Sequence, residues 1–433
     1  MSNPVVVAIG RLTQAVARLR GGGSALPGYV VEKIAPHFMD QTLSQLPQGV
    51  ILVSGTNGKT TTTKMIVGLL AAQGLRVFSN KTGSNFTRGV VASLIDEVDW
   101  RGDLAADIAV LELDEAHALH FIDKVRPRVS VLLNVMRDQL DRFGEIDTTA
   151  QLLTKVAQAT TETVVLNRDD PRVRAIADQV APETKVRYFG YARRLAELFP
   201  DDDSLHESRD ARTGSALAVP AAPADVQLTE VTGQQAVYTI DDERYTVDLQ
   251  LSGVHNALNG AAALAGARAA ANPANPLRTA GLIAALGQVK AAFGRGETFD
   301  VGGRPVRFSL VKNPSGFRSS LRSLGGVDEA VMIAINDDYA DGRDMSWLWD
   351  VDFSTLRDRG VSMVSGVRAW DMALRLQYDL VAADRVEPAL SAGLEGFLAE
   401  SSGHPARIFC TYTAMLQLRR EMARYTTVTR IGE

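Results

Sequence analysis

The 433-residue sequence contains a single cysteine, Cys410. That excludes a disulfide framework and any zinc site built on cysteines. Cys410 closes the apolar run Ala406-Arg407-Ile408-Phe409-Cys410, which reads as a buried strand carrying an inert thiol. This cysteine usage fits a reducing cytoplasm. Long apolar runs are missing as well. No 18-residue stretch is apolar enough to suggest a transmembrane helix. The first ten residues lack the basic region of a secretory leader, and none is expected. There is no excess of positive charge: the net charge of −5 gives no reason to expect a nucleic-acid partner.

What is present is the balance of a soluble globular protein, with 45 % apolar and 22 % charged residues. The length exceeds one ordinary core and implies two or three domains. Val5 to Leu19 carries apolar residues at helical spacing, with Arg11, Arg18 and Arg20 to one side. It reads as a helix packed on the protein, with a weak membrane-surface contact as the alternative. Residues 1–45 thus form an N-terminal helical segment.

From residue 48 apolar strands alternate with helical patterns. Val50 to Ser54, Arg76 to Ser79, Ile108 to Leu113, Val129 to Asn134 and Val164 to Asn167 read as buried strands. The helix after the first of them has Met65, Ile66, Leu69 and Leu70 on one face. The alternation predicts a parallel, doubly wound α/β sheet. It lapses between about 192 and 233, a stretch rich in Asp, Ala, Pro and Ser that reads as an inserted surface loop. Ala236 to Leu251 then alternates like an antiparallel hairpin. After Arg295 a second α/β domain is expected, with strands at 306–311, 330–335, 362–365, 380–383 and 407–411. The expected division is a central domain over 46–295 and a C-terminal domain over 296–433.

Gly55-Thr56-Asn57-Gly58-Lys59-Thr60-Thr61 joins a buried strand to a helix, which is the setting of a phosphate-binding loop. Backbone N–H groups and the helix N-terminus favour phosphate charge. Lys59 would reach the β- and γ-phosphates of ATP, and the Thr60 hydroxyl would ligate Mg²⁺. Val53 stands where the common Walker spacing has a glycine, so the loop is shorter than usual. A metal-bound triphosphate needs acidic ligands at neighbouring strand ends. Glu112 and Glu115, where the strand from Ile108 stops, are the candidates.

The loop resembles the ATP loop of the Mur ligases and of folylpolyglutamate synthase. Other landmarks of that family follow in order along nearly the whole chain. Glu112 to Glu115 is similar to its Mg²⁺ segment, and Asn134 to Asp141 to its second metal and phosphate segment. Gly253-Val254-His255-Asn256, with Asn259 beyond, resembles its adenine-contacting helix start. Gly294-Arg295-Gly296 resembles its arginine turn. Three further motifs resemble the MurT subfamily. They are Arg137 to Glu145, where Gln139 replaces a histidine; Lys312-Asn313-Pro314-Ser315-Gly316; and Asn336-Asp337-Asp338-Tyr339-Ala340-Asp341-Gly342-Arg343-Asp344-Met345-Ser346-Trp347.

The resemblance implies a P-loop central domain and a Rossmann-like C-terminal domain. It implies ATP and Mg²⁺ as cofactors, Asn256 fixing adenine and Arg295 fixing the ribose or phosphate side. The activity implied is ATP-dependent amidation of the D-glutamate α-carboxylate of lipid II, at the cytoplasmic face of the plasma membrane. Ammonia would come from a GatD-like glutamine amidotransferase subunit, with Asp344 as the third member of that partner's Cys–His pair. Trp347 and Trp349 would be interface anchors or core. Many MurT relatives carry a four-cysteine zinc ribbon in the middle domain. The stretch 195–232 has no cysteine, so no zinc is expected. Two alternatives remain at this stage: a conventional Mur-type or folylpolyglutamate-type amino-acid ligase, and a nucleotide-dependent scaffold.

Overall fold

The computed structural model describes residues 4–19, 25–80, 85–136, 146–199, 222–251, 253–271, 276–290, 295–324, 329–342 and 344–428. They divide into two compact units, 4–136 with 146–290, and 295–428.

The first unit is built on a nine-stranded sheet in the order β2-β3-β1-β4-β5-β6-β7-β8-β9. Its strands are β1 (Val50–Ser54), β2 (Val77–Ser79), β3 (Ile108–Glu112), β4 (Val129–Leu132), β5 (Thr163–Asn167), β6 (Lys185–Tyr191), β7 (Val226–Thr232), β8 (Gln235–Ile240) and β9 (Glu243–Asp248). Pairing is parallel from β2 through β7 and antiparallel from β7 to β9. Strands β1, β3, β4 and β5 are buried at every position. Parallel strands covered on both faces need apolar side chains at consecutive positions, which is why these four are mostly apolar, with Ser130 the one polar residue away from the strand ends.

Helices cover the sheet: α1 (Pro4–Leu19), α2 (Ala25–Ile34), α3 (Phe38–Leu43), α4 (Lys59–Ala72), α5 (Thr87–Glu97), α6 (Glu115–Ile122), α7 (Ile146–Ala159), α8 (Pro171–Arg174), α9 (Val254–Ala269) and α10 (Thr279–Leu286). Met65, Ile66, Leu69 and Leu70 of α4 are fully buried. Each such side chain contributes about 1.5–3 kcal/mol through removal from water. The N-terminal helices share this core: Val6, Val7 and Val31 belong to one cluster with Leu94 and Ile95 of α5. Arg11 of α1 donates to the carbonyls of Ile95 at 3.4 Å and Val98 at 2.6 Å, satisfying the C-terminal end of α5.

The structure departs from the sequence reading in four places. Strand β7 begins at Val226, inside the stretch expected to be a loop. Val226 and Leu228 are buried while Gln227 is not, an alternation hidden by the Pro- and Ala-rich residues before it. The rest of the expected insertion, 200–221, lies outside the described residues. Strand β6 was not expected because its outer residues are polar and only partly buried. The other two departures are in the second unit.

That unit has a six-stranded sheet in the order β10-β11-β15-β12-β13-β14. The strands are β10 (Arg295–Val301), β11 (Arg304–Leu310), β12 (Ala330–Ala334), β13 (Met363–Ser365), β14 (Val386–Glu387) and β15 (Ala406–Cys410), and only the β10–β11 pairing is antiparallel. β10, an edge strand with polar residues alternating, was not anticipated. No strand forms over 380–383 beyond an isolated bridge from Val361 to Ala383. Leu380 has φ +59° and is exposed, so this segment begins as a turn.

The helices are α11 (Pro314–Arg322), α12 (Ala369–Tyr378), α13 (Leu390–Glu400) and α14 (Tyr412–Met422). Phe317 packs edge-on to Phe353 at 5.1 Å and against Phe409 at 5.3 Å. Cys410 is fully buried in β15, and burial pushes its thiol pKa far up. One ionic group is also enclosed. Glu329, 3 % exposed, lies 3.1 Å from Arg407 and 3.1 Å from Arg307.

Candidate active site

The loop after β1 leaves the first sheet at the point where β3 lies on one side and β4 on the other. Ligands of open α/β sheets bind outside the carboxyl ends of strands at such a switch point. Residues from four strand ends meet here.

Gly55 has φ +127° and Gly58 has φ +88°, backbone that favours glycine. Space requires glycine too. A Cβ on Gly58 would stand 2.4 Å from Asn259 Oδ1, and one on Gly55 would stand 3.0 Å from the backbone N and O of Asn134. Asn259 Nδ2 in turn donates to Asn256 Oδ1 at 3.3 Å. The start of α9 is thereby brought against the loop.

Lys59 opens α4 and is 5 % exposed. Its Nζ donates to Gly55 O at 2.6 Å and Thr56 O at 3.3 Å, and it pairs with Glu115 Oε2 at 3.4 Å. The Thr60 hydroxyl donates to Glu112 Oε1 at 2.8 Å. Thr61 is buried in the same first turn. Glu112, the last residue of β3, and Glu115, the first of α6, are 7 % and 3 % exposed. Two buried carboxylates and one ammonium leave these three side chains with a net negative charge. Carboxylate and hydroxyl oxygens are ligands for a hard divalent cation. Among the described residues no group of three or more His, Cys, Asp or Glu side chains gathers. Thr60, Glu112 and Glu115 are the side chains at this end whose oxygens could ligate such a cation, with water and phosphate oxygens completing its shell.

Three side chains that the sequence did not single out hold this frame. Asn80, just beyond β2, accepts from Glu112 N–H and donates to Glu112 O, both at 2.9 Å. Asn134, beyond β4, does the same for the loop: its Oδ1 accepts from Asn57 N–H at 2.8 Å and its Nδ2 donates to Asn57 O at 3.0 Å. Thr56 N–H also donates to Asn134 O at 3.0 Å. Asp170 caps α8 through the N–H groups of Arg172 and Val173, and accepts from Val135 N–H at 2.7 Å. The residue keeps some exposure, but its carboxylate is enclosed. Burial outweighs the three hydrogen bonds and pushes its pKa up to about 6.

Arg295 opens β10, but its side chain lies outside the described residues, as do Arg137 to Glu145 with Gln139.

In the second unit the acidic loop follows β12. Its members differ in role. Asp341 is buried and accepts from Thr413 N–H at 2.8 Å, from the Thr413 hydroxyl and from Asp338 N–H at 3.2 Å. Burial raises its pKa despite these bonds. Asn336 is buried too, donating to Thr413 Oγ1 at 3.1 Å and accepting from Val367 N–H at 3.1 Å. Asp337 pairs with Arg368 at 3.1 Å. Asp344 is partly exposed, and its Oδ1 accepts from Ser346 N–H at 2.8 Å. The two tryptophans separate: Trp347 is buried beside Phe317, whereas Trp349 is half exposed and packs edge-on to Tyr378. On α12, Trp370, Leu374 and Tyr378 share one exposed stripe, with Val367 exposed just before the helix.

Two family models match the chain: the Mur ligase middle domain over 53–267, and the MurT ligase C-terminal domain over 310–415. The subunit MurT of a lipid II isoglutaminyl synthase (glutamine-hydrolyzing) from Streptococcus pneumoniae is 30 % identical, covering 96 % of this chain and 95 % of the relative. The chain belongs to the MurT family. A MurT subunit from Staphylococcus aureus is 29 % identical, over 82 % of this chain and 83 % of its own length. The MurT family shares the Mur ligase fold, and the structure agrees. MurF ligase from Thermotoga maritima, solved in complex with ADP, superposes with a TM-score of 0.65 over 89 % of this chain and 83 % of that one, at 17 % identity. The MurT C-terminal match takes in Asn336, Asp341 and Asp344.

Proposed function

We propose that this chain is the ligase subunit of a lipid II isoglutaminyl synthase. In this reading an α-carboxylate oxygen of D-glutamate attacks the γ-phosphorus of ATP. ADP leaves and an acyl phosphate forms. Ammonia then attacks the acyl carbon, phosphate leaves, and D-isoglutamine results. The observation that carries the reading is the convergence of Lys59, Thr60, Glu112 and Glu115 at the ends of β1 and β3, in a chain matching MurT subunits along nearly its whole length.

The residues suit the chemistry. A carboxylate approaching a polyphosphate meets like charge, and cations must offset it. Lys59 would leave Glu115 for the phosphates. Thr60 with Glu112 or Glu115 would hold Mg²⁺, which spreads the charge of the transferring phosphoryl group. Asn256, linked to the loop through Asn259, would take the adenine, and Arg295 the ribose or phosphate side.

Ammonia would come from a GatD-like glutaminase docked on the second unit, with Asp344 orienting the partner's histidine. The exposed side chains Trp349, Trp370, Leu374 and Tyr378 supply the large apolar and aromatic area that partner surfaces use. The chain would work in the cytoplasm, at the inner face of the plasma membrane.

The test is ADP formation with lipid II, with and without ammonium. Amide formed from ammonium, and lost in Lys59→Ala, supports the reading. ADP formed only with an amino acid as acceptor would make the chain a conventional Mur-type or folylpolyglutamate-type ligase instead. Unaltered amide formation by Lys59→Ala in the mixed complex would leave only a scaffold role.

A further inference from the structure

Helix α1 has two apolar faces, and the core accounts for only one. Val6, Val7 and Ala17 are buried against the first unit. Val5, Ile9, Leu12 and Val16 recur at helical spacing around the other side and are exposed by 59, 37, 66 and 40 %. The flank is amphipathic. Arg11 places its guanidinium 4.5 Å over the ring of Trp100, an indole that is 62 % exposed.

The charge along this segment is of one sign. Arg11, Arg18 and Arg20 precede the first acidic residue of the chain, Glu32. This occurs in a protein whose net charge is −5, so the first 31 residues are a basic stretch of an acidic chain.

We propose that α1 docks this protein on an anionic phospholipid surface, with Ile9, Leu12 and Val16 entering the headgroup–acyl boundary. An apolar helix stripe bordered by arginine and an exposed indole is the pattern of helices that lie in a membrane interface. Such stripes enter about 5–10 Å, and the cations add attraction to anionic headgroups. A second copy of the chain fits less well. Pairing α1 with itself across a twofold axis would set arginine-rich segments against each other. The inference deepens the proposed function, in which the substrate is lipid-linked, but its test does not use that substrate.

The experiment is flotation of the full chain with vesicles of phosphatidylglycerol and phosphatidylcholine in equal parts, and with phosphatidylcholine alone. The chain is expected to float with the anionic vesicles, less so as salt is raised, and weakly with the neutral ones. Ile9→Gln combined with Leu12→Gln changes only exposed positions, so thermal unfolding should match the parent. Its vesicle affinity should fall at least about tenfold. The proposal is overturned if the parent chain ignores anionic vesicles, or if the double variant floats equally well. A parent dimer that ignores vesicles and becomes monomeric in the double variant would also overturn it, making α1 a self-interface. Ammonium-driven ADP formation with detergent-dispersed lipid II is expected to be unchanged in the double variant. Its loss in the parent chain as well would count against the proposed function and not against docking.

Discussion

The Thr60 hydroxyl donates to Glu112 Oε1 across 2.8 Å, joining the first turn of α4 to the last residue of β3. Two oxygens that the proposed function assigns to magnesium thereby come from two elements that the sheet fixes side by side. Glu112→Gln keeps an acceptor for Thr60 but removes the charge, whereas Glu115→Gln removes the carboxylate that Lys59 faces. The Mg²⁺ concentration for half-maximal ATP turnover should rise at least about tenfold in the variant that has lost the metal ligand. A magnesium titration of both variants tells which glutamate it is. Identical titrations for both variants and the parent would remove either residue from a metal role.

Gly58→Ala should damage the loop twice over. Its φ of +88° disfavours a side chain, and the new Cβ would stand 2.4 Å from Asn259 Oδ1. The backbone part alone costs about 1–2 kcal/mol. The KM for ATP should rise at least about tenfold. Steady-state kinetics at saturating acceptor measure this.

Asp170 gives the pH dependence a definite sign. Its pKa is raised on folding to about 6, so the folded state holds a proton that the unfolded chain releases near pH 4. The corresponding stability is fully present below the unfolded pKa and is lost as pH rises through about 6. It amounts to roughly 2–3 kcal/mol. The stability difference between the parent and Asp170→Asn should therefore widen in the parent's favour as pH falls from 7 to 4. Denaturant unfolding at several pH values checks the slope.

In the proposed complex with a glutaminase, Asp344→Asn should abolish glutamine hydrolysis while ammonium-driven amidation continues. Asp341→Asn should behave differently, since Asp341 is buried and ties the loop to Thr413. It should lower thermal stability of the second unit. Parallel glutaminase and melting assays separate the two aspartates.

Glu329→Gln should destabilise the second unit by about 3 kcal/mol, because it leaves the enclosed Arg407 without its carboxylate. The shift of the denaturant midpoint reads this directly.

Much of the fold is legible in the sequence because β1, β3, β4 and β5 are buried on both faces, and so are written as mostly apolar runs. β6 and β10 are not, since strands that carry polar residues at alternate positions resemble loops when read one residue at a time. In the site, the glycine loop and the acids at the end of β3 stand out because local spacing marks them. Asn80 and Asp170 do not. Their partners, Glu112 and Val135, are 32 and 35 residues away, and only the sheet brings such pairs together. Asn134 could be read only as part of a family segment; nothing local marks its grip on Asn57, 77 residues away. The exposed half of α1 was equally hidden. Helical spacing shows that a helix has an apolar face, but not whether the core takes all of it.

Cys410 lies fully buried in β15, paired between β11 and β12, and it is the only thiol in the chain. The second unit thus carries its own gauge of opening. A thiol reagent is silent toward the closed sheet and reacts only when β15 is released. The first unit contributes no signal at all. Labelling rates, followed with and without a glutaminase of the proposed kind, would report whether such a partner clamps the second unit.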